Sequence, residues 1–285
     1  MTDRQDPIHA EVAPPAPPPR GFDALTADRE ELARLGLPLR PDPQTQPGLA
    51  ALWEQLAVRY RGFDHLQATV PQPSQVETAD RPQTTNLHPI EHCGYSLTSF
   101  TAPFTALILT STVPSLRYVQ SPHGPTRLRT FAGLGFLDTH VEMSVDPAQN
   151  VTASITAVGV ADVGLPVQPG EVIRVTMCLD TASPGRATYV LANETRQQTV
   201  NFGFDSHFPP ATTVEVGISR GYANAPRNPL AGFGLVYFDE ISVYSTSGSR
   251  SLTAGQPVSM VDQNGPTIAR PQRLTDFTFR VEHTG

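Results

Sequence analysis

The chain predicts an all-β protein: an antiparallel two-sheet β-sandwich with a short N-terminal helical segment. Three observations carry this. From about Glu91 to the C-terminus, short runs of alternating polarity recur, each broken by Pro, Gly, Asn or Ser. Helical spacing of apolar residues is confined to the N-terminal part. The 285 residues include 29 Pro and 21 Gly and only 16% are charged, which suits a turn-rich β protein better than a helical bundle.

Residues 1–20 are rich in Pro and Ala and are expected to be a disordered tail. Residues 21–62 form the helical segment. Asp28-Arg29-Glu30-Glu31 has the spacing of a capping box, and Gly36 and Pro38 stop the first helix. Leu49, Leu52, Trp53, Leu56 and Tyr60 recur at helical spacing in a second helix, with Trp53 as its packing anchor. These helices are expected to dock on the sandwich or cap one end. Residues 63–90 read as a polar linker and 91–285 as the sandwich domain. Examples of the expected strands are Thr105–Val113, His140–Val145, Val151–Val158, Val172–Leu179, Ala187–Ala192, Thr213–Ile218 and Gly234–Tyr244. Ser251–Val261 and Leu274–Glu282 add more, with Phe277, Phe279 and Val281 alternating on one face.

Every one of the 20 basic residues is arginine, and the net charge is −7. No basic stripe is present, which argues against nucleic acid or an anionic membrane as the main partner. The N-terminus lacks the basic and apolar regions of a signal peptide, and no apolar run approaches the ~20 residues that span a bilayer. A cytoplasmic location is therefore expected, with Cys93 and Cys178 as reduced thiols. His88, Glu91, His92 and Cys93 are the only candidate metal ligands. Their spacing is loose and no second pair follows, so no metal or cofactor is implied.

Residues 163–202 and 211–239 carry the sharpest signal. A Gly170-Glu171 turn precedes a strand. Val190 to Thr195 then reads V-x-x-N-x-T, Val214 to Arg220 forms a further strand, and Pro229 to Phe238 reads P-L-x-x-F-G-x-V-x-F. This pattern resembles the second half of the glutamic endopeptidase (eqolisin) family. The phrase from Gly21 to Leu56 is similar to a segment attached to bacterial relatives, so the resemblance covers nearly the whole chain. It implies a concanavalin A-like jelly roll with a catalytic glutamate and glutamine on its concave sheet. The glutamate activates water and the glutamine amide steadies the oxyanion. The family's glutamate closes an A-E-W-I-V-E strand. Here that strand reads Val214-Glu215-Val216-Gly217-Ile218-Ser219, so the flanking Glu215 and Arg220 are kept and Ser219 takes the catalytic position.

Phe131-Ala132-Gly133-Leu134-Gly135 stands where the family has W-V-G-L-D, and matching Glu142 to the family's second acid puts Asp138 at the glutamine position. A shifted alignment puts Glu142 there instead. Loss of the base is worth ~10²–10⁴ in rate, and loss of an oxyanion donor ~10²–10³. The cleft aromatics have also gone: Glu91-His92-Cys93-Gly94 replaces N-W-S-G, and Val216 replaces the tryptophan of A-E-W. The expectation is a non-catalytic member of the family, a binding or assembly module. Its concave groove would be lined by Asp138, His140, Glu142, Ser219 and Arg220, and would take a peptide, a glycan or a protein partner. Two enzymatic alternatives stand beside it. One is an acid endopeptidase with a rearranged dyad using Asp138 or Glu142. The other is a serine-type hydrolase using Ser219 and His140, since Asp138, His140 and Glu142 share one face of a strand. Gly217-Ile218-Ser219-Arg220-Gly221 also matches the G-x-S-x-G elbow, but that motif needs a strand-to-helix turn in a parallel sheet, which this context does not predict.

Overall fold

The computed structural model describes residues 15–69, 87–122, 124–157, 162–180, 186–205, 209–221, 229–262 and 265–284. Most of the expected linker, and the expected tail up to residue 14, lie outside them. Two helices, α1 (Arg29–Arg34) and α2 (Pro47–Tyr60), lead into the strands. In chain order these are β1 (Asp64–His65), β2 (His92–Thr98), β3 (Phe104–Thr112), β4 (Leu116–Arg117), β5 (Thr126–Leu134), β6 (Leu137–Val145), β7 (Val151–Ala157), β8 (Val172–Asp180) and β9 (Arg186–Asn193). There follow β10 (Gln198–Asp205), β11 (Thr213–Ser219), β12 (Gly232–Phe233), β13 (Leu235–Ser245), β14 (Gly248–Arg250), β15 (Gln256–Val258), β16 (Met260–Val261), β17 (Thr267–Arg273) and β18 (Phe279–His283).

The strands build two large sheets. One has ten strands in the order β1-β10-β9-β8-β3-β13-β18-β17-β16, with β14 paired to β13. The other has six, in the order β15-β2-β11-β5-β6-β7, and β4 with β12 makes a small ribbon. Among the described residues every strand pair except β1–β10 is antiparallel. Alternation explains the layering. In β6, Leu137, Thr139, Val141, Met143 and Val145 are buried, while the residues between them are half-exposed. The buried set meets Leu107, Leu109, Val175 and Met177 of the other sheet in one shared core. Aromatic contacts tie the layers: Tyr95 of β2 meets Phe279 of β18 edge-on at 4.9 Å, and Phe279 stacks on Phe238 at 4.7 Å.

The helical segment docks on the outer face of the ten-stranded sheet. Leu32 and Trp53 pack with Val190 and Ala192, and Leu49 packs with Ala106 and Ile108. Trp53 anchors this layer as expected, its Nε1 donating to the Pro38 carbonyl at 3.0 Å under the Arg40 guanidinium. The α1 start is a side-chain cap, with the Glu31 amide donating to Asp28 Oδ1 at 2.8 Å. Gly36, at φ +68°, ends the helix in the left-handed region. Asp28→Ala should therefore lower stability by about 1 kcal/mol in denaturant titration; an unchanged midpoint would show that the cap contributes nothing.

Three sequence expectations differ from the structure. Leu274–Phe277 is a turn rather than a strand, because the Leu274 and Thr275 amides both donate to the Thr278 carbonyl. Phe277 is accordingly exposed, whereas Phe279 and Val281 are buried. Ser251–Val261 breaks into a 3-10 turn and two short strands. Strand β17, which carries Pro271, was not expected. Its partner β16 pairs only as far as Ala269, so Pro271 faces no donor demand on that side. Cys93 and Cys178 are free thiols on different sheets.

Candidate functional site

The outer face of the six-stranded sheet carries the predicted residues, and the register arranges them in three ranks. Across β2, β11, β5 and β6 the first reads Ser96, Glu215, Gly133, Asp138. The second reads Gly94, Gly217, Phe131, His140. The third reads His92, Ser219, Arg129, Glu142. Every one of these positions alternates with a residue of the inter-sheet core, such as Val216, Ile218, Leu128 or Val141, so the set shares one face.

Asp138, His140, Glu142 and Ser219 are thus brought to one patch, but not all to one point. Ser219 lies in the rank of Arg129 and Glu142. Asp138 lies four residues along and two strands across, roughly 16 Å away by strand geometry. The residue in Ser219's own rank is Glu142, with Arg129 between them. Arg220 is not part of the patch. Its guanidinium reaches the Val261 carbonyl at 3.2 Å and Asp262 at 3.5 Å.

The third rank is built around a buried cation. Arg129 is 4% exposed and Ser219 5% exposed. Arg129 donates to Glu142 Oε2 at 2.9 Å, and Arg127 stands 3.5 Å from the other carboxylate oxygen. At the far end His92 contacts Phe131 edge-on, with ring centroids 5.5 Å apart. Burial pushes the His92 imidazole down to about 4. Its Nδ1 accepts from the His88 amide at 3.1 Å, so the neutral ring carries its proton on Nε2. That tautomer leaves His92 no lone pair with which to take the Ser219 proton.

In the second rank the floor is glycine. Gly94 and Gly217 are direct partners, and a Cβ added at Gly217 would lie 2.8 Å from the Gly94 Cα. The glycine of the G-x-S-x-G match is thus explained by close approach of two strands. Ser219 ends an antiparallel strand, the opposite of an elbow in a parallel sheet. His140 sits 3.7 Å from Asp138 and 3.4 Å from the Thr156 hydroxyl, and Phe131 and Gly217 lie between it and β2.

The first rank holds Glu215, which the sequence marked as a kept flanking glutamate but not as a site residue. Burial pushes the Glu215 carboxyl up to about 7, against a weak opposing hydrogen bond from Ser96 at 3.4 Å. Its position, four residues before Ser219 on the same strand, was the available signal. Tyr189 reaches across from β9 and donates to the Asp138 carbonyl at 3.2 Å, fixing the strand at this rank. The Gly170-Glu171 turn is structural: Glu171 accepts from Arg196, Asn193 and the Gln168 amide.

Cys93 points into the core, away from His92. Among the described residues no group of three or more His, Cys, Asp or Glu side chains is placed to hold a metal ion. Nor, among them, is any helix long and apolar enough to cross a membrane.

The model of the peptidase A4 family matches residues 91–282. No curated protein sequence matches the chain. Among solved structures, scytalido-glutamic peptidase with a transition-state analogue inhibitor is similar at a TM-score of 0.54 and 19% identity, over 68% of this chain and 98% of that one. SCP-B, an eqolisin in complex with the tripeptide Ala-Ile-His, is similar at 0.54 and 18%, over the same shares of the two chains. At these identities the likeness is one of fold.

Proposed function

Because the chain belongs to the peptidase A4 family, we propose that it is a member that has given up the family's chemistry and works as a binding or assembly module. Its partner docks on the ranked face of the six-stranded sheet. One observation carries this reading. Ser219, where the resemblance expects the catalytic glutamate, is buried beside a guanidinium whose carboxylate partner is already engaged. A general base needs a free lone pair beside the attacking water. Serine has none of that basicity, and the Glu142 oxygens are taken by Arg129 and Arg127. Asp138 sits at the far corner of the patch, and His140 stands one rank from Ser219 and two strands away, with Phe131 beside it in its own rank. The two related structures hold a transition-state analogue inhibitor and a tripeptide. A peptide is accordingly the first partner to test, with a glycan or another protein subunit after it.

The purified chain should cleave no denatured protein substrate between about pH 2 and 4. Cleavage that disappears in Glu142→Gln or Asp138→Asn would establish a rearranged dyad and end the proposal. Cleavage near neutral pH that disappears in Ser219→Ala would instead favour a serine hydrolase. A peptide array should show binding that weakens in Asp138→Ala and His140→Ala while their melting temperatures hold.

A further inference from the structure

The face opposite the ranked patch is incompletely packed. Where α2 crosses the ten-stranded sheet a cavity of about 60 Å³ remains. Leu49, Leu52 and Leu56 of α2 close it from one side, and Ile108 and Val190 of the sheet from the other. Protein interiors hold few voids larger than a water, and ~10–15 Å³ suffices for one. This space is several times that.

Two hydroxyls interrupt the apolar wall, beside the His65 ring and the Arg61 side chain at its margin. Tyr60, at the end of α2, is 8% exposed, and Thr176, on β8, is 3% exposed. Both line the cavity, and neither Tyr60 Oη nor Thr176 Oγ1 has a hydrogen-bond partner. The two hydroxyls face each other, and Thr176 acts weakly on the Tyr60 phenol as a side-chain hydrogen bond, but the pair falls short of a full bond. A buried unsatisfied hydroxyl costs about 1–3 kcal/mol. The docking of α2 on the sheet gives no packing reason to set two of them, one on α2 and one on β8, at one void. A space of this size would hold several waters, each needing two to four polar partners, more than the two hydroxyls and the His65 ring of the wall can supply.

The geometry points to a binding site for a small uncharged alcohol, its hydroxyl held between Tyr60 Oη and Thr176 Oγ1 and its short alkyl body among the leucines of α2 and Ile108. Size sets the class. A cavity of ~150 Å³ takes benzene, so this one takes a body of a few carbons. Charge sets it too. Arg61, the charged residue of the wall, is paired with Asp23 at 3.4 Å, so an anionic head finds no free counter-ion there. Binding is non-covalent, since burial pushes the Cys178 thiol in the wall up to about 12. The inference is independent of the partner proposed for the other face.

The chain carries its own reporter, because Trp53 is the single tryptophan and lines the cavity. Titration of the full chain with 1-butanol should give a saturable change in its fluorescence and a rise in melting temperature. Ala57→Leu, which fills the wall, should abolish the saturable change. The double variant Tyr60→Phe, Thr176→Val keeps the shape and removes both hydroxyls together, a change that leaves folding near neutral. It should bind 1-butanol at least about fivefold more weakly. A linear, non-saturating response of the natural chain overturns the site. So does equal affinity in the double variant.

Discussion

Gly217→Ala should destabilise the sandwich by about 3 kcal/mol and open the seam between β2 and β11. The two strands meet at a glycine pair so close that a Cβ at Gly217 falls 2.8 Å from the Gly94 Cα and still nearer the Cys93 carbonyl oxygen. A Cβ at Gly94 falls 2.7 Å from the Gly217 Cα. The obstacle is backbone, which cannot rotate aside as a side chain can, so relief requires the strands to part. Seven residue pairs join β2 to β11, and the first, second and third ranks of the patch all depend on them. Gly133→Ala is the control. It lies on the same face one strand over, but its added Cβ would meet nothing closer than 3.8 Å, an ordinary contact. At ~2–4 °C per kcal/mol, the Gly217 variant should melt on the order of 10 °C lower and the Gly133 variant near the natural chain. Equal melting of the two would show that the seam relaxes freely, and would remove the reason given for the glycine in the G-x-S-x-G match.

The fold was legible because burial on one side of each strand writes a period of two into the sequence. Leu137 to Val145 shows it without a break, and its face assignment alone puts Asp138, His140 and Glu142 together. Legibility failed where short-range signals pointed elsewhere. Strand β17 hides behind Pro271 and three arginines or glutamines. Ser251–Val261 is apolar enough for a strand, but Gly255 must pass directly over the Ser96 carbonyl, and the chain turns there. The site divides in the same way. What alternation encodes was readable; what cross-strand register encodes was not. Arg129, His92 and Glu215 join the patch through pairs separated by 13 to 127 residues of sequence, Arg129 with Glu142 and His92 with Ser219 among them. No local spacing announces such a pair. The resemblance supplied Ser219, and only the register showed that its rank holds an arginine clamp.

Glu215→Gln should stabilise the chain at pH 8 by up to about 3 kcal/mol and leave it unchanged at pH 4. The sign follows from the direction of the shift. Burial raises the folded-state Glu215 carboxyl from 4.5 to about 7, so the folded chain holds a proton that the unfolded chain has released. Between these values the folded state binds more protons, and stability falls as pH rises. Below 4.5 both states are protonated and the residue is neutral to the balance. Above about 7 the penalty is complete and the curve levels. Among the described residues no charged group relieves it: the neighbours in its rank are Ser96 on one side and Gly133 on the other, and Gln256 lies beyond Ser96. Glutamine keeps the shape and can still accept from the Ser96 hydroxyl, so the variant isolates the charge. Melting curves of both proteins across pH 4 to 8 should converge at the acid end and separate through neutrality. Parallel curves would mean that water reaches Glu215 freely and that the first rank is wetter than its burial implies. Separation would establish an acid on the ranked face that is neutral in mildly acidic solution and charged above it; if the proposed partner is a cationic peptide docked there, its affinity should fall more between pH 8 and pH 5 for the natural chain than for Glu215→Gln, in which His140 remains to titrate.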